Sequence, residues 1–301
     1  MTRRDDHRIP PSGRCLNCGT RRSAKLRLVL YAALAASLFL SMPARASNET
    51  ALDAYKRGDF AAAAAQWRPL AERGDARALY SLGYLLHTGQ GVAQDKARAV
   101  ELWTRAAQQG FAEAQHSLAL AYMSGDGVAK NETAALPWFQ RAAEAGLARS
   151  QYTLGKMHLH GVGTPANAAE AARWIKAAAE QGEHRAQYNM GKLLRDGHGV
   201  AQNMAEAANW FERAAQKGFA GAQLQLGLRF ARGEGRPQDD VQAYKWIWLA
   251  AEQGHGEAQQ QRGVLQARLN SAQIAEARRL AAAEPTPRLV SAQPSLGAST
   301  N

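Results

Sequence analysis

Residues 186–218 read AQYNMGKLLRDGHGVAQNMAEAANWFERAAQKG, and this stretch decides the fold because the chain repeats its pattern every 36 residues. Gly155, Gly191 and Gly227 lie one period apart, and the Gly-x-Gly turns, the Ala-Ala steps and the closing glycines keep the same spacing. Self-similarity at a period of about 20 to 50 residues is typical of solenoids. We therefore predict five tandem repeats over residues 76–255, with no insertion between them.

Each repeat is expected to form two helices. Ala78, Leu82 and Leu86 recur at helical spacing, so the first helix has one buried stripe. Gly83 lies beside this stripe, where the missing side chain lets a neighbouring helix approach closely. The Gly-x-Gly turn then ends the helix, because glycine readily takes the left-handed conformation found just past a helix C-terminus.

The second helix is expected to begin at an Asp or Asn that recurs in every repeat. These side chains accept hydrogen bonds from the free amide groups of the first turn, so they are predicted N-caps: Asp95, Asn131, Asn167, Asn203 and Asp239. Two turns later, tryptophans are expected to anchor the core between repeats, the first of them shifted by one position relative to the others: Trp103, Trp138, Trp174, Trp210 and Trp246.

The pattern A-x-x-L-G-x-x-Y-x-x-G-x-G-V-x-x-(D/N)-x-x-x-A-x-x-W-(F/Y)-x-x-A-A-x-x-G resembles the Sel-one-like repeat of the tetratricopeptide superfamily. The resemblance implies an all-α fold, a right-handed α/α superhelical solenoid of helix-turn-helix repeats whose first helices line a concave surface. Residues 47–75 resemble a degenerate N-terminal capping repeat, since Trp67 lies one period before Trp103. Residues 256–283 are predicted to form one C-terminal capping helix, and residues 284–301, rich in Pro, Ser and Thr, a disordered tail.

The N-terminus is typical of an exported protein. An uncharged run over residues 28–40 follows several basic residues and precedes a small-x-small site at residues 44–46. This predicts a signal peptide over residues 1–46, cleaved before Ser47, and a periplasmic or secreted mature protein. An uncleaved anchor is the alternative, although the run is short for a bilayer core about 30 Å thick.

Removal of the leader changes the charge and the cysteine content. It leaves 28 basic and 24 acidic side chains, a net charge of +4, and no basic tract, so a nucleic-acid partner is not expected. Cys15 and Cys18 both lie in the leader, and no second pair exists to complete a zinc site. The mature chain therefore has no disulfide, and its stability must come from helix packing.

Motifs for catalysis or metal binding are missing from the sequence. There is no His-x-x-x-His, paired carboxylate or nucleophile elbow. His158 and His160 diverge by about 200° on a helix, so they cannot share one metal without distortion. We expect no catalytic, cofactor-binding or metal-binding residues and no enzymatic activity.

The face of each first helix opposite the buried stripe is the expected binding surface. In the first repeat it carries Arg77, Ser81, Tyr84 and Thr88. These positions vary between repeats while the core positions recur, as expected where a partner is chosen. An ordinary solvated helix face is the alternative interpretation.

Repeats three and four place four cations on this face, Arg149, Lys156, Arg185 and Lys192. This cationic band fits an acidic peptide or a carboxylate. The predicted partner is a protein or peptide, bound by a monomer without a membrane span. The candidate residues are Tyr84, Arg149, Lys156, His160, Arg185, Asn189, Lys192 and Arg232.

Two functions from different classes follow. The resemblance implies a scaffold for envelope regulation or for contact with a host or the environment, since related exported solenoids act as adaptors. The alternative is a secreted penicillin-binding or β-lactamase-like repeat protein. Those relatives have a disulfide in each repeat, whereas this mature chain has no cysteine and no Ser-x-x-Lys motif in a suitable context, which favours the scaffold.

Overall fold

A computed structural model describes residues 47–284. The predictions for the leader, its two cysteines and the tail after Glu284 lie outside the described residues. Over the described range the chain is all-α, without strands, and consecutive helices pack against each other as a right-handed α/α solenoid. The helices are α1 Asn48–Lys56, α2 Phe60–Glu72, α3 Ala76–Thr88, α4 Lys96–Gln108, α5 Ala112–Ser124, α6 Glu132–Glu144, α7 Ala148–His160, α8 Ala168–Glu180, α9 His184–Asp196, α10 Met204–Gln216, α11 Ala220–Arg232, α12 Asp240–Glu252, α13 Gly256–Gln266 and α14 Ser271–Ala282.

Capping residues set both ends of the helices in each repeat. Gly197 ends α9 in the left-handed region, at φ 68°, and equivalent glycines end α3, α5, α7 and α11. The second glycine of each turn is needed for a different reason: a Cβ on Gly199 would overlap the backbone carbonyl of Ala168, at the start of α8. The predicted N-caps are confirmed, as in Asn203, whose side chain accepts the amide N–H of Glu206 at 3.0 Å.

The core between the two helices of a repeat centres on one position of the second helix. Gly191 lies against Phe211, and a Cβ on that glycine would be 2.7 Å from two ring carbons. Gly83 meets Trp103 in the same way. Trp103 therefore occupies the same position of the repeat as Phe211. The later tryptophans lie one residue earlier in the repeat, and Trp138 is only half-buried. The predicted core role is confirmed for four of the five tryptophans, which are buried, and Trp138 is the exception.

Ser81 corrects the expected division of the first helix into a core face and a solvent face. It is fully buried, and so is its neighbour Tyr80. The reason is that α3 packs both on α4 of its own repeat and on α2 before it, so the buried arc is wider than one stripe.

In four of the five repeats a buried glutamine joins the first helix to the end of the preceding second helix. The Nε2 amide of Gln187 donates to the carbonyl of Ala179 at 3.1 Å, and three period mates make the same bond. The bond gives a second donor to the carbonyl of Ala179 at the end of α8, which also accepts the backbone N–H of Gly182 at 3.0 Å.

The C-terminal cap consists of two helices instead of the single predicted one. The helix is interrupted between α13 and α14, where Asn270 and Gln273 form a reciprocal capping box. α14 then packs on α12, and Lys245 forms an ion pair with Glu284. An Asn-Ser-x-Gln sequence is a helix start, so this break could have been recognised.

Candidate functional site

Three cavities lie along the first helices. The large cavity has a volume of about 710 Å³ and is lined chiefly by α5, α7 and α9. It contains four of the candidate residues: Arg149, Lys156, His160 and Arg185. The structure thus brings together half of the candidate set, from two consecutive repeats.

The apolar cavity, of about 410 Å³, lies beside the large cavity, between α3 and α5. It contains the candidate Tyr84, together with Tyr80, Trp103 and Leu120. Leu120 is 45% exposed, which is unusual for a large hydrophobic residue among those described. Arg149 lines both cavities, so this arginine stands in the wall that they share.

The remaining candidates lie elsewhere on the surface. Asn189 and Lys192 line a small cavity of about 280 Å³ between α7 and α9. Arg232 is exposed at the last residue of α11 and lines none of these three cavities. The cationic band is therefore divided, with Lys192 beside Asp196 and away from the large cavity.

A column of rings on the first helices supports the cations and was overlooked in the sequence. Tyr80, His116, Tyr152 and Tyr188 recur one period apart. The Nζ of Lys156 lies 5.9 Å from the Tyr152 ring centre, and Lys192 stands 5.8 Å from Tyr188. Burial raises the pKa of both of these tyrosines, so they stay neutral rings under the ammonium groups. The fixed period was the signal that could have revealed them.

His116 is a neutral member of this column. Burial, and secondarily the charge of Arg149, lowers the pKa of its imidazole to about 3. Its Nδ1 lies 2.8 Å from the Ser150 hydroxyl, and its ring meets Phe139 edge-on with centroids 5.4 Å apart. His116 is therefore uncharged near neutral pH and adds no positive charge to either cavity.

Arg149 is exceptional among the cations of the site. Its Nε and Nη2 atoms are buried and have no hydrogen-bond partner. Burial raises the pKa of the adjacent Tyr80, and the charge of Arg149 offsets part of that rise. Arg185, the period mate of Arg149, is exposed and can hydrate. Arg149 thus carries unsatisfied hydrogen-bonding capacity at the junction of the two cavities.

Acidic side chains near the site have partners of their own. Glu183 lines the large cavity, but its carboxylate accepts the amide N–H of Ala186 and caps α9. Asp126, at the far side of the apolar cavity, pairs with Lys96 at 2.8 Å, which lowers the pKa of its carboxyl. The large cavity therefore keeps an excess of positive charge.

Within residues 47–284, no cluster of three or more His, Cys, Asp or Glu side chains could hold a metal ion. Over the same range, no helix has the length and apolar character needed to span a membrane.

Comparison with known proteins agrees with this geometry. The model of the Sel1 repeat matches five segments: residues 76–111, 112–147, 148–183, 184–219 and 220–255. A Sel1 repeat protein from Oxalobacter formigenes is similar to the chain at 30% identity and a TM-score of 0.69, covering 78% of this chain and 98% of that one.

A second similar structure is c5321, a protective antigen present in uropathogenic Escherichia coli strains that displays an SLR fold. It is 32% identical with a TM-score of 0.69 and covers 76% of this chain. The alignment covers 50% of the antigen, so the chain spans about half of that protein's length. No curated protein sequence matches the chain.

Proposed function

The chain belongs to the Sel1 repeat family, and from this premise we propose that it is a scaffold that holds an acidic segment of another protein in the large cavity. Sel1 repeats generally mediate protein–protein interactions. The comparisons give no support to a penicillin-binding or β-lactamase-like function, and the family is typically non-enzymatic.

One observation carries the proposal: Arg149, Lys156 and Arg185 line a single cavity in which the carboxylate of Glu183 already caps a helix. A groove with an excess of one charge attracts segments of the opposite charge and lowers the affinity for like-charged ones. The Tyr152 ring beneath Lys156 adds apolar contact area to this cavity, so the occupant is an extended acidic segment with some apolar side chains.

We further propose that the protein acts outside the cytoplasm, in the periplasm or beyond the cell. The support is the sequence of residues 1–46, with its basic start, apolar run and small-x-small site. The partner would then be an envelope, host or environmental protein. The helix pairs bury the core by themselves, so the mature chain needs no disulfide to stay folded outside the cytoplasm.

The test is capture of partners on the immobilised protein, followed by charge reversal. Lys156→Glu with Arg185→Glu should weaken retention of an acidic partner about tenfold or more, because two attractive contacts become repulsive. Retention by the wild-type protein should also fall as salt rises from about 0.05 M to 0.5 M, since the Debye length shortens from about 14 Å to about 4 Å.

A matched control reverses two exposed cations on second helices, Lys176→Glu with Arg213→Glu. The net charge changes by the same amount, so a general electrostatic effect would weaken both double variants equally. Retention by the control should stay close to wild type. Equal losses in the two double variants, or retention that is insensitive to salt, would show that the large cavity is not the docking site.

A further inference from the structure

The start of α9 departs from the repeat at two consecutive positions. The first helices of the other four repeats, α3, α5, α7 and α11, begin with alanine, whereas α9 begins with His184. The residue before it is Glu183, where the neighbouring repeats have Leu147 and Phe219. The helix forms in those neighbours without a carboxylate or an imidazole, so the fold alone does not explain the pair.

Glu183 and His184 both line the large cavity. The Nδ1 of His184 lies 3.7 Å from Oε1 of Glu183, and the other carboxylate oxygen accepts the amide N–H of Ala186. Within the described part of the chain, Glu183 is the single carboxylate among the residues that line this cavity. An incoming acidic segment is attracted by the cations of the cavity but repelled by this carboxylate. A titratable imidazole therefore lies beside the one charge that opposes the partner.

The imidazole of His184 is neutral in the free protein at pH 7.5. Burial lowers its pKa below the ordinary value of about 6.5, the charge of Glu183 offsets part of that shift, and the charges of Arg185 and Lys217 lower the pKa further. The Phe219 ring packs on the imidazole with the two centroids 5.5 Å apart. A partner carboxylate in the cavity brings a second negative charge, so it favours the imidazolium and raises the pKa of His184.

The other groups of the cavity do not change charge in this way. His116 stays neutral between pH 7.5 and 5.5, since its pKa is lowered to about 3. Burial raises the pKa of Tyr152, so this ring is uncharged as well. His160, exposed at the end of α7, is the remaining histidine of the cavity and needs a variant of its own. The fixed cations are Arg149, Lys156 and Arg185.

We propose that Glu183 and His184 make capture of the acidic segment proton-dependent. Protonation of His184 neutralises the carboxylate that opposes the segment, so binding takes up a proton and tightens as the pH falls from about 7.5 to 5.5. The range ends near pH 5, because the glutamates of the partner protonate toward their ordinary pKa of about 4.3. This inference rests on the proposed function, since it adds regulation by pH to the cavity that holds the segment.

The experiment uses the full chain, immobilised, and a pool of randomised ten-residue peptides built from Glu, Ala, Leu and Ser with both ends blocked. The glutamates are then the only titratable groups of the probe. Mass spectrometry gives the retained fraction at pH 7.5 and at pH 5.5, at one ionic strength of about 0.1 M. The wild-type protein should retain about threefold more at pH 5.5, because one added charge at a partly exposed site changes binding by about that factor.

Variants separate His184 from the other histidines. His184→Ala restores the residue that begins the other first helices, so the fold should be kept while the ratio of retention at pH 5.5 to that at pH 7.5 falls close to one. The matched control His198→Ala removes an exposed histidine from the turn after α9, outside the large cavity, and should keep the wild-type ratio. A ratio that is lost in His160→Gln but kept in His184→Ala would overturn the assignment.

The role of the carboxylate has its own variant, Glu183→Gln. The amide oxygen of the new side chain can still accept the N–H of Ala186, so the start of α9 should be kept. Retention at pH 7.5 should rise, because the opposing charge is gone, and the ratio between the two pH values should fall. Retention at pH 7.5 that stays at the wild-type level would contradict the role given to Glu183.

Proton uptake is a second measurement, which a merely structural role of His184 would not affect. Calorimetric titration of the best-retained peptide at pH 6.5, in two buffers that differ in ionisation enthalpy, gives the number of protons bound with the peptide. The wild-type protein should take up a fraction of one proton and His184→Ala none. Equal proton uptake by both proteins would show that another group titrates.

The two proposals fail in different ways. If retention is equal at both pH values, while salt and the double variant Lys156→Glu with Arg185→Glu still weaken it, the cavity holds the acidic segment without proton linkage and only this inference is wrong. If no peptide is retained at either pH value at low salt, both proposals are wrong.

Discussion

Gly191 and Gly263 occupy the same register of the repeat, yet alanine should affect the two positions in opposite directions. Both are helical and neither has a positive φ. Replacing glycine by alanine in a helix interior stabilises the protein by up to about 1 kcal/mol, because glycine loses more backbone entropy on folding. This gain is common to both sites, so the difference between the variants reports the contact that the new methyl group makes.

The contacts of the two methyl groups differ sharply. At Gly191 the Cβ would stand 2.7 Å from Cδ1 and Cε1 of Phe211, so the ring or the helix must move by roughly 1 Å to restore ordinary contact at 3.4–4 Å. Such overpacking costs about 1–3 kcal/mol. At Gly263 nothing lies within 4 Å. Repeat two shows that the shift is possible, since Ala119 holds the equivalent place beside Phe139 in the same core cluster.

The assay is urea unfolding followed by circular dichroism, with both single variants and the wild type measured together. Gly191→Ala should lower the free energy of unfolding by up to about 2 kcal/mol, the overpacking cost less the helix gain, and Gly263→Ala should raise it by up to about 1 kcal/mol. The two variants should therefore differ by about 1–3 kcal/mol, with similar m-values. Equal changes of the same sign would refute the close helix contact on which the repeat depends.

The other predictions concern acid stability, a buried hydrogen bond and export. His116→Phe should reduce the loss of stability as pH falls from about 6.5 to 4. A histidine whose pKa is lowered to about 3 in the folded state destabilises the fold below its unfolded pKa of 6.5, and the variant removes that group. The control variant His160→Gln, at an exposed histidine, should leave the loss unchanged, and thermal melts at a series of pH values check both variants. Gln187→Ala should cost about 0.5–1.5 kcal/mol in urea unfolding, since one buried hydrogen bond is lost while the carbonyl of Ala179 keeps the N–H of Gly182 as a donor. N-terminal sequencing of the exported protein should begin at Ser47, and a soluble cytoplasmic product with an intact leader would contradict export.

The fold was largely predictable because its determinants are local and repeat. A side chain such as Asn203 caps a helix through an amide three residues away, so its role follows from position alone. Ser81 was misplaced because its burial depends on the helix of the preceding repeat, which the stripe on one helix does not describe. The break at Asn270 was a local capping motif that the expectation of one final helix concealed.

The candidate site was predictable only in part. Four of its cations and their common face followed from the period, and Arg149, Lys156 and Arg185 do share a cavity. The unpaired edge of Arg149 could not be predicted, because it depends on the absence of any acceptor from several helices at once. The separation of Lys192 from the large cavity likewise depends on how α7 and α9 pack.

Lysine labelling of the protein with its partner bound tests most directly whether that partner lies along the first helices. Lys156 is exposed in the large cavity, and Lys176 is exposed on the second helix of the same repeat, so the two report on different faces of one unit. A limiting dose of an acetylating reagent, followed by mass spectrometry, gives the modification of each lysine with and without the partner. Labelling of Lys156 should fall several-fold on binding while labelling of Lys176 stays constant. Protection of Lys176 with Lys156 still fully reactive would contradict the account.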